Sequence, residues 1–384
     1  MAAVEVLFWI CAGLIVYTHV GYPLLLRLLV DVRGARRRPS PVEHFTPPVS
    51  LVIAAHDEED VIERRLENAL ALDYPPDRLE VIVASDGSGD RTVELARAVA
   101  ERDRRVKVLD LPRQGKVRAQ DSAVESAAGE VLAFSDANAL WDPDALELLV
   151  RPLADPRIGY VCGGLRYLGG GGANEEGAYW RYETAVRALE SRLGSITGGN
   201  GAIYAVRREA YLRLDPRTSH DLSLPFNLVK RGMRAVYEPL ARAVERPLST
   251  IEGEFRRKRR MMSHAWPMVI RGGMLDPRGY GPVYGFQIFS HRILRYATPF
   301  LHVVALGANV ALAASGEGAI YVLTLALQAG LLVAAALSAL LRGRVRVLNV
   351  AYYYVLVTSS LAAGLWDWLR HGTPPTWERA EGRR

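Results

Sequence analysis

The sequence predicts an α/β domain, doubly wound around a parallel sheet and embedded between transmembrane helices. Three observations predict it. Between residues 47 and 246, short apolar runs alternate with amphipathic stretches, the pattern of βα units whose helices cover both faces of a sheet. The early apolar runs each end abruptly in polar residues, which gather at one edge of such a sheet. Long apolar segments bracket the region on both sides.

Taken in order, Val4 to Val30 is almost uncharged apart from Glu5 and Arg27, and about 25 residues suffice to cross a bilayer as a helix. Arg33, Arg36, Arg37 and Arg38 follow and place that end in the cytoplasm. A cleaved signal peptide fits poorly, because no basic stretch precedes the run and the run is too long. Residues 1–32 are therefore expected to be an anchor.

Strands are expected at Val49–Ala55, Leu79–Ala84, Val106–Leu109 and Val131–Phe134. Helices are expected at Val61–Leu72, Thr92–Ala100 and Ala119–Ala128. Gly169 to Gly172 and Gly198-Gly199-Asn200-Gly201 mark tight or mobile loops beyond them. A basic interfacial region spans 250–275, and three further spans fall within 284–369: Tyr284–Ala314, Gly318–Leu341 and Val345–Leu369. The basic loop Arg342 to Arg346 then lies inside and Ser315-Gly316-Glu317 outside. The Arg370 tail would also lie outside, against the charge rule.

The net charge of +6 would suit nucleic acid, but the basic clusters flank apolar segments, so membrane lipids are the expected partner and nucleic acid is not. Cys11 and Cys162 are the only cysteines, which excludes a disulfide framework.

The chemistry centres on Ser135-Asp136-Ala137-Asn138. Oxygen ligands one residue apart at a strand end can face a hard cation, Mg²⁺ or Mn²⁺, although Asp and Asn also favour turns on their own account. Asp142 reads as a helix N-cap with Pro143 at the first helical position, so Asp142 and Asp144 receive no catalytic role. The other early strands end in His56-Asp57-Glu58-Glu59 and Ser85-Asp86-Gly87-Ser88, and Arg113-Gln114-Gly115-Lys116 precedes a helix. Acceptors and cations converging on one sheet edge suit a nucleotide diphosphate.

These motifs, continued by Gly199-Asn200-Gly201-Ala202 and His220-Asp221-Leu222-Ser223-Leu224, resemble the family 2 inverting glycosyltransferases of the GT-A fold, with its mostly parallel sheet. The resemblance covers residues 47–262, and Tyr17 to Pro23 is similar to the anchor of membrane-bound members. It implies that His56, Glu58, Asp86, Ser88, Lys116 and Asp136 bind a nucleotide sugar, with His56 against the base and Asp86 accepting a hydrogen bond from it. It implies a divalent metal on Asp136 and Asn138, where Asn138 replaces the usual second acid. Gly199, Asn200 and Gly201 would bind the acceptor. Asp221 would be the general base, although the family commonly has Glu-Asp where this chain has His220-Asp221. The alternative for Asp221 is a cap on the helix Leu222–Lys230.

Polymer-making relatives carry Gln-x-x-Arg-Trp on an interfacial helix. Here Arg257, Arg260 and Met261 stand at those positions, so Arg260 would stabilise the leaving diphosphate while the Trp is missing. The basic run Arg256 to Arg260 also suits anionic headgroups. The expected activity is hexosyl or N-acetylhexosaminyl transfer from a nucleotide sugar, UDP-linked by resemblance. Its acceptor is lipid-linked or a growing polysaccharide. Four spans are few for a self-contained channel, which a homo-oligomer or partner would complete. A non-catalytic membrane protein that binds nucleotide sugars is the reading of a different class.

Overall fold

The computed structural model describes residues 1–33, 45–167, 174–245, 251–341 and 345–373. Arg36 to Arg38, the Gly169–Gly172 loop and most of the Arg342–Arg346 loop fall outside them. The described strands are β1 (Val49–Ala55), β2 (Leu79–Asp86), β3 (Val106–Leu111), β4 (Val131–Asp136), β5 (Leu140–Trp141), β6 (Ile158–Tyr167), β7 (Tyr204–Arg207) and β8 (Arg234–Glu245). They form one sheet in the order β3-β2-β1-β4-β7-β6-β8-β5.

β1 lies between β2 and β4 and pairs in parallel with both. All seven of its residues are buried, as expected for a strand covered on both faces. Side-chain alternation divides the core in two. Leu51 and Ile53 pack on one side with Ile62 and Leu66, while Val52 packs on the other with Phe134 and Tyr204. The helix Ile62–Leu70 follows from Ile62, Leu66 and Ala69, which sit on one helical face and are all buried.

Beyond β4 the sheet is mixed: β7 runs antiparallel to β4 and β6, whereas β6 and β8 are parallel. The order reverses between β1 and β4, a topological switch point with the C-terminal ends of β2, β1 and β4 side by side. Two local expectations are corrected. Asp144, not Asp142, occupies the cap position of the helix Ala145–Val150, and Asp142 N–H donates instead to Arg242 O at 3.0 Å. The helix expected from Ala119 begins at Lys116.

Among the described residues, four helices are long and apolar enough to cross a membrane: Ala2–Val32, Pro282–Ala314, Ala319–Leu340 and Val347–His371. Leu24, Leu327, Val303 and Val347 are among many large apolar side chains on them that face outward, which suits lipid rather than water. Phe8 and Cys11 of the first pack with Ala305, Ala308 and Leu312 of the second. Each of these two helices contains a π-helical turn, Tyr17–Gly21 and Ile288–Ile293, and the two turns touch where Tyr17 OH bonds Ser290 Oγ at 2.8 Å. The basic helix Ile251–Ile270 packs on the last span, with Trp266 Nε1 donating to Leu361 O at 2.8 Å.

Candidate active site

The acidic strand ends do different work. Asp86 is buried, and its carboxylate accepts from Gln114 N–H at 2.7 Å and Gly115 N–H at 3.0 Å. Asp86 therefore shapes the turn that delivers Lys116 to the first position of its helix. Gly115 adopts φ 100°, a left-handed conformation that glycine tolerates without a Cβ clash. His56 is also buried, with Nδ1 2.8 Å from Asp86 O. Ser88 Oγ accepts from Asp57 N–H at 3.1 Å. His56, Asp86 and Ser88 are thus tied together behind the strand ends.

The other expected residues meet in a cavity of about 430 Å³ lined by Glu58, Lys116, Asp136, Asn138, Gly199 to Gly201, Asp221 and Arg260. The Lys116 ammonium forms an ion pair with Asp136 Oδ1. Burial lowers the Lys116 pKa, but Asp136 and Asp221 outweigh it and the net shift is upward, so the ammonium stays charged. Gly201 lies between the two sides of the site, its Cβ direction 3.9 Å from Lys116 Nζ and 4.0 Å from Asp221 Cγ.

Asp221 is the second residue of the helix His220–Lys230, and Ser219 holds the cap position. The capping role is therefore not its role here. Its carbonyl accepts from Gly199 N–H at 2.6 Å, which draws the glycine loop against the helix start. A Cβ on Gly199 would lie 1.9 Å from Tyr160 OH, so only glycine fits. His220 points into the core: Nδ1 bonds Tyr204 OH at 2.9 Å, and Nε2 lies 3.4 Å from Tyr211 OH. Burial, aided by Lys116, pushes its pKa down to about 3, which leaves a neutral ring in a structural position.

The far wall comes from the helices outside the sheet. Arg257, Lys258, Arg260 and Met261 line the cavity, whereas Arg259 pairs with Asp367 on the last span and Arg256 is exposed. The basic run is thus divided between cavity and surface. Tyr296, Val357 and Leu361 bring apolar surface from the spanning helices into the same cavity.

Several cavity residues escaped the sequence reading. Glu245 ends β8 and lies at the boundary where the soluble region was expected to stop. Glu183 and Arg187 lie on the helix Asn174–Leu193, which was not foreseen. Glu183 pairs with Arg295, and Glu190 on the same helix binds His291 Nδ1 at 2.8 Å and Tyr22 OH at 2.7 Å. Arg292 and Arg295, within the expected span Tyr284–Ala314, also line the cavity.

No cluster of three or more His, Cys, Asp or Glu suited to a metal occurs among the described residues. Asp136 and Asn138 nonetheless fit a cation whose remaining ligands come from phosphate and water, because the Asp136 carboxylate already draws the Lys116 ammonium onto itself.

Residues 50–215 match the family model Glycosyl transferase family 2. A poly-beta-1,6-N-acetyl-D-glucosamine synthase of Staphylococcus aureus is 25% identical over 206 residues, 50% of this chain and 48% of that protein. A putative glycosyltransferase EpsH of Bacillus subtilis is 32% identical over 117 residues, 30% of this chain and 33% of its own. The chain thus spans about half the length or less of these curated relatives. Among solved structures, the mannosyltransferase PcManGT from Pyrobaculum calidifontis in complex with GDP-Man and Mn²⁺ matches with a TM-score of 0.72 and 24% identity. That match covers 95% of this chain and 99% of the other, a likeness of fold. Family match and sheet architecture agree: residues 50–215 are a family 2 glycosyltransferase domain, and they lie in a sheet of the GT-A type.

Proposed function

We infer that the protein is a membrane-bound inverting glycosyltransferase that moves a sugar from a nucleotide-diphosphate donor to a lipid-linked acceptor. One observation carries this reading. A single cavity joins Lys116 and Asp136 on one side, Asp221 on the other, and a wall from helices apolar enough to span a membrane. The donor's diphosphate fits the Lys116–Asp136 side, and an acceptor arriving from the membrane reaches Asp221.

Asp221 takes the proton of the acceptor hydroxyl as its oxygen attacks the anomeric carbon. The bond to the diphosphate breaks on the opposite face, which inverts the configuration. Arg260 and Lys116 offset the charge that builds on the leaving group. A divalent cation, Mg²⁺ or Mn²⁺, held by Asp136 and the Asn138 amide oxygen, would add neutralising charge at the same place. Asp86 and His56 support this site by fixing the turn before Lys116, and Glu58 lines it.

Met261 in place of an aromatic residue favours single transfer over processive synthesis. The coexistence of Asp136, Asp221 and Arg260 in one cavity favours an enzyme over a nucleotide-sugar-binding protein without chemistry. The test is to purify the chain in detergent and screen UDP- and GDP-sugars for metal-dependent nucleotide release, with and without membrane lipids. Release that depends on donor, metal and lipid is expected. Binding of a sugar nucleotide without turnover under any of these conditions would establish the non-catalytic reading.

A further inference from the structure

On the membrane side of the cavity lie polar groups that the transfer step does not use. Arg187 is 6% exposed. Its Nε donates to Gly198 O and its Nη2 to Gly199 O, both at 3.1 Å, while the buried Nη1 makes no hydrogen bond. Asn200, 7% exposed, accepts from Ala202 N–H at 3.0 Å through Oδ1, and its buried Nδ2 is likewise unbonded. Arg292 donates from Nε to Thr197 Oγ1 at 3.0 Å, and its Nη2 lies where a side chain on Gly198 would stand. All three residues line the cavity.

A buried donor with no acceptor is costly, because it has given up its bonds to water and gained none in return. Two of them, one on the helix Asn174–Leu193 and one on the glycine loop that Arg187 holds, belong to residues lining one cavity and call for a ligand that brings its own oxygens. Charge narrows the choice. Among the described residues neither Arg187 nor Arg292 makes an ion pair with a carboxylate, although Glu183 and Glu190 lie close enough to act on Arg292, so the ligand that suits Arg187 above all is an oxyanion, which a guanidinium binds in a fork. Apolar surface narrows it further, because Leu222, Tyr296, Val357 and Leu361 continue the same cavity, the last three from spanning helices. Gly199 links the donors to the chemistry: its carbonyl meets Arg187, and its N–H meets Asp221 O at 2.6 Å.

We propose that Arg187, Asn200 and Arg292 form a subsite for the phosphate of an amphiphilic acceptor lipid, seated between the Gly198–Gly201 loop and the spanning helices. Its catalytic meaning rests on the transfer reading above; its binding chemistry does not. The full chain in maltoside detergent is titrated by calorimetry with dodecyl phosphate, dodecanol and inorganic phosphate. Dodecyl phosphate binds most tightly, and Arg292→Gln or Arg187→Gln weakens it on the order of tenfold or more.

Nucleotide binding by each variant shows that it remains folded. Arg187→Lys, which keeps the charge and loses the fork, gives an intermediate loss. Equal binding of dodecanol overturns the subsite, as does unchanged dodecyl phosphate affinity in Arg292→Gln with nucleotide binding intact. Equal affinity for inorganic phosphate assigns the site to a free anion and overturns the lipid. Sugar-nucleotide turnover on the same preparations separates the outcomes: turnover without alkyl phosphate binding removes only the subsite, and the reverse removes only the transfer reading.

Discussion

Lys116 and Asp136 form an ion pair across the switch point, so a cation is already matched to the carboxylate that closes β4. A divalent ion has to compete with that ammonium. Asp136→Ala is expected to abolish metal-dependent turnover, and Asn138→Asp, by adding a second carboxylate, to tighten Mn²⁺ binding. Mn²⁺ titration followed by paramagnetic resonance beside a turnover assay checks both. Full turnover in Asp136→Ala would remove the proposed metal site.

Asp221 sits inside the first helical turn rather than at its cap, so Asp221→Asn should leave folding and donor binding intact. Loss of the proton acceptor should slow turnover on the order of 10²–10⁴-fold. Calorimetry of donor binding and turnover on the same sample decide it; a near-normal rate leaves the base unassigned.

Gly199→Ala drives a Cβ into Tyr160 OH, and overpacking of this kind costs about 1–3 kcal/mol. The thermal midpoint should fall, and turnover should fall further, because the loop also holds Asp221. Tyr160→Phe removes the nearest atom but not the ring carbons, 2.8 and 3.1 Å away, so the double variant should recover only part of the loss. Additive losses in the double-mutant cycle would contradict the direct contact.

His220 stays neutral in the folded protein, with its pKa pushed to about 3, whereas the unfolded chain takes up a proton near 6.5. Its contribution to stability is therefore complete above 6.5 and is lost as pH falls from there towards 3. Thermal midpoints from about pH 7 down to about pH 4 should decline less steeply in His220→Gln than in the parent. Parallel slopes would show that His220 does not titrate in this way.

Orientation has its own test. Cys11 and Cys162 are buried, which leaves a clean background for labelling. A membrane-impermeant thiol reagent on whole cells should label Glu317→Cys and spare Glu101→Cys, both at exposed positions. The opposite pattern would place the sugar-nucleotide site outside and overturn the donor assignment.

The part of the fold around β1 was legible because its strands are almost wholly buried and read as apolar runs, two of them ending at Asp86 and Asp136. The helix Asn174–Leu193 was not, because it buries Glu183, Arg187 and Glu190 beside the apolar Val186 and Leu193, and the mixture hides its period. Glu190 and Glu183 are paired with His291 and Arg295, about a hundred residues away, a relation that no local period reveals. β8 was missed for a related reason: Glu238 and Glu245 are buried within a run that reads as mixed and polar. The site divides along the same line. Strand-end residues were found from their own neighbourhood, whereas Arg187 and Arg292 acquire meaning only where loop and spans meet.

The two π turns impose a tolerance of a different kind. Each residue of an α-helix advances about 100° around the axis, whereas a π turn closes one residue later than an α turn for about the same full rotation. Removing one residue from within Tyr17–Gly21 would therefore let that stretch close as an α turn, with little rotation of what precedes it. Removing one residue from the α-helical stretch between Cys11 and Tyr17 would instead swing Phe8 and Cys11 away from Ala305 and Ala308. The π turns thus hold a residue of slack in each span, and single-residue deletions should be tolerated better within them than in the α-helical turns beside them.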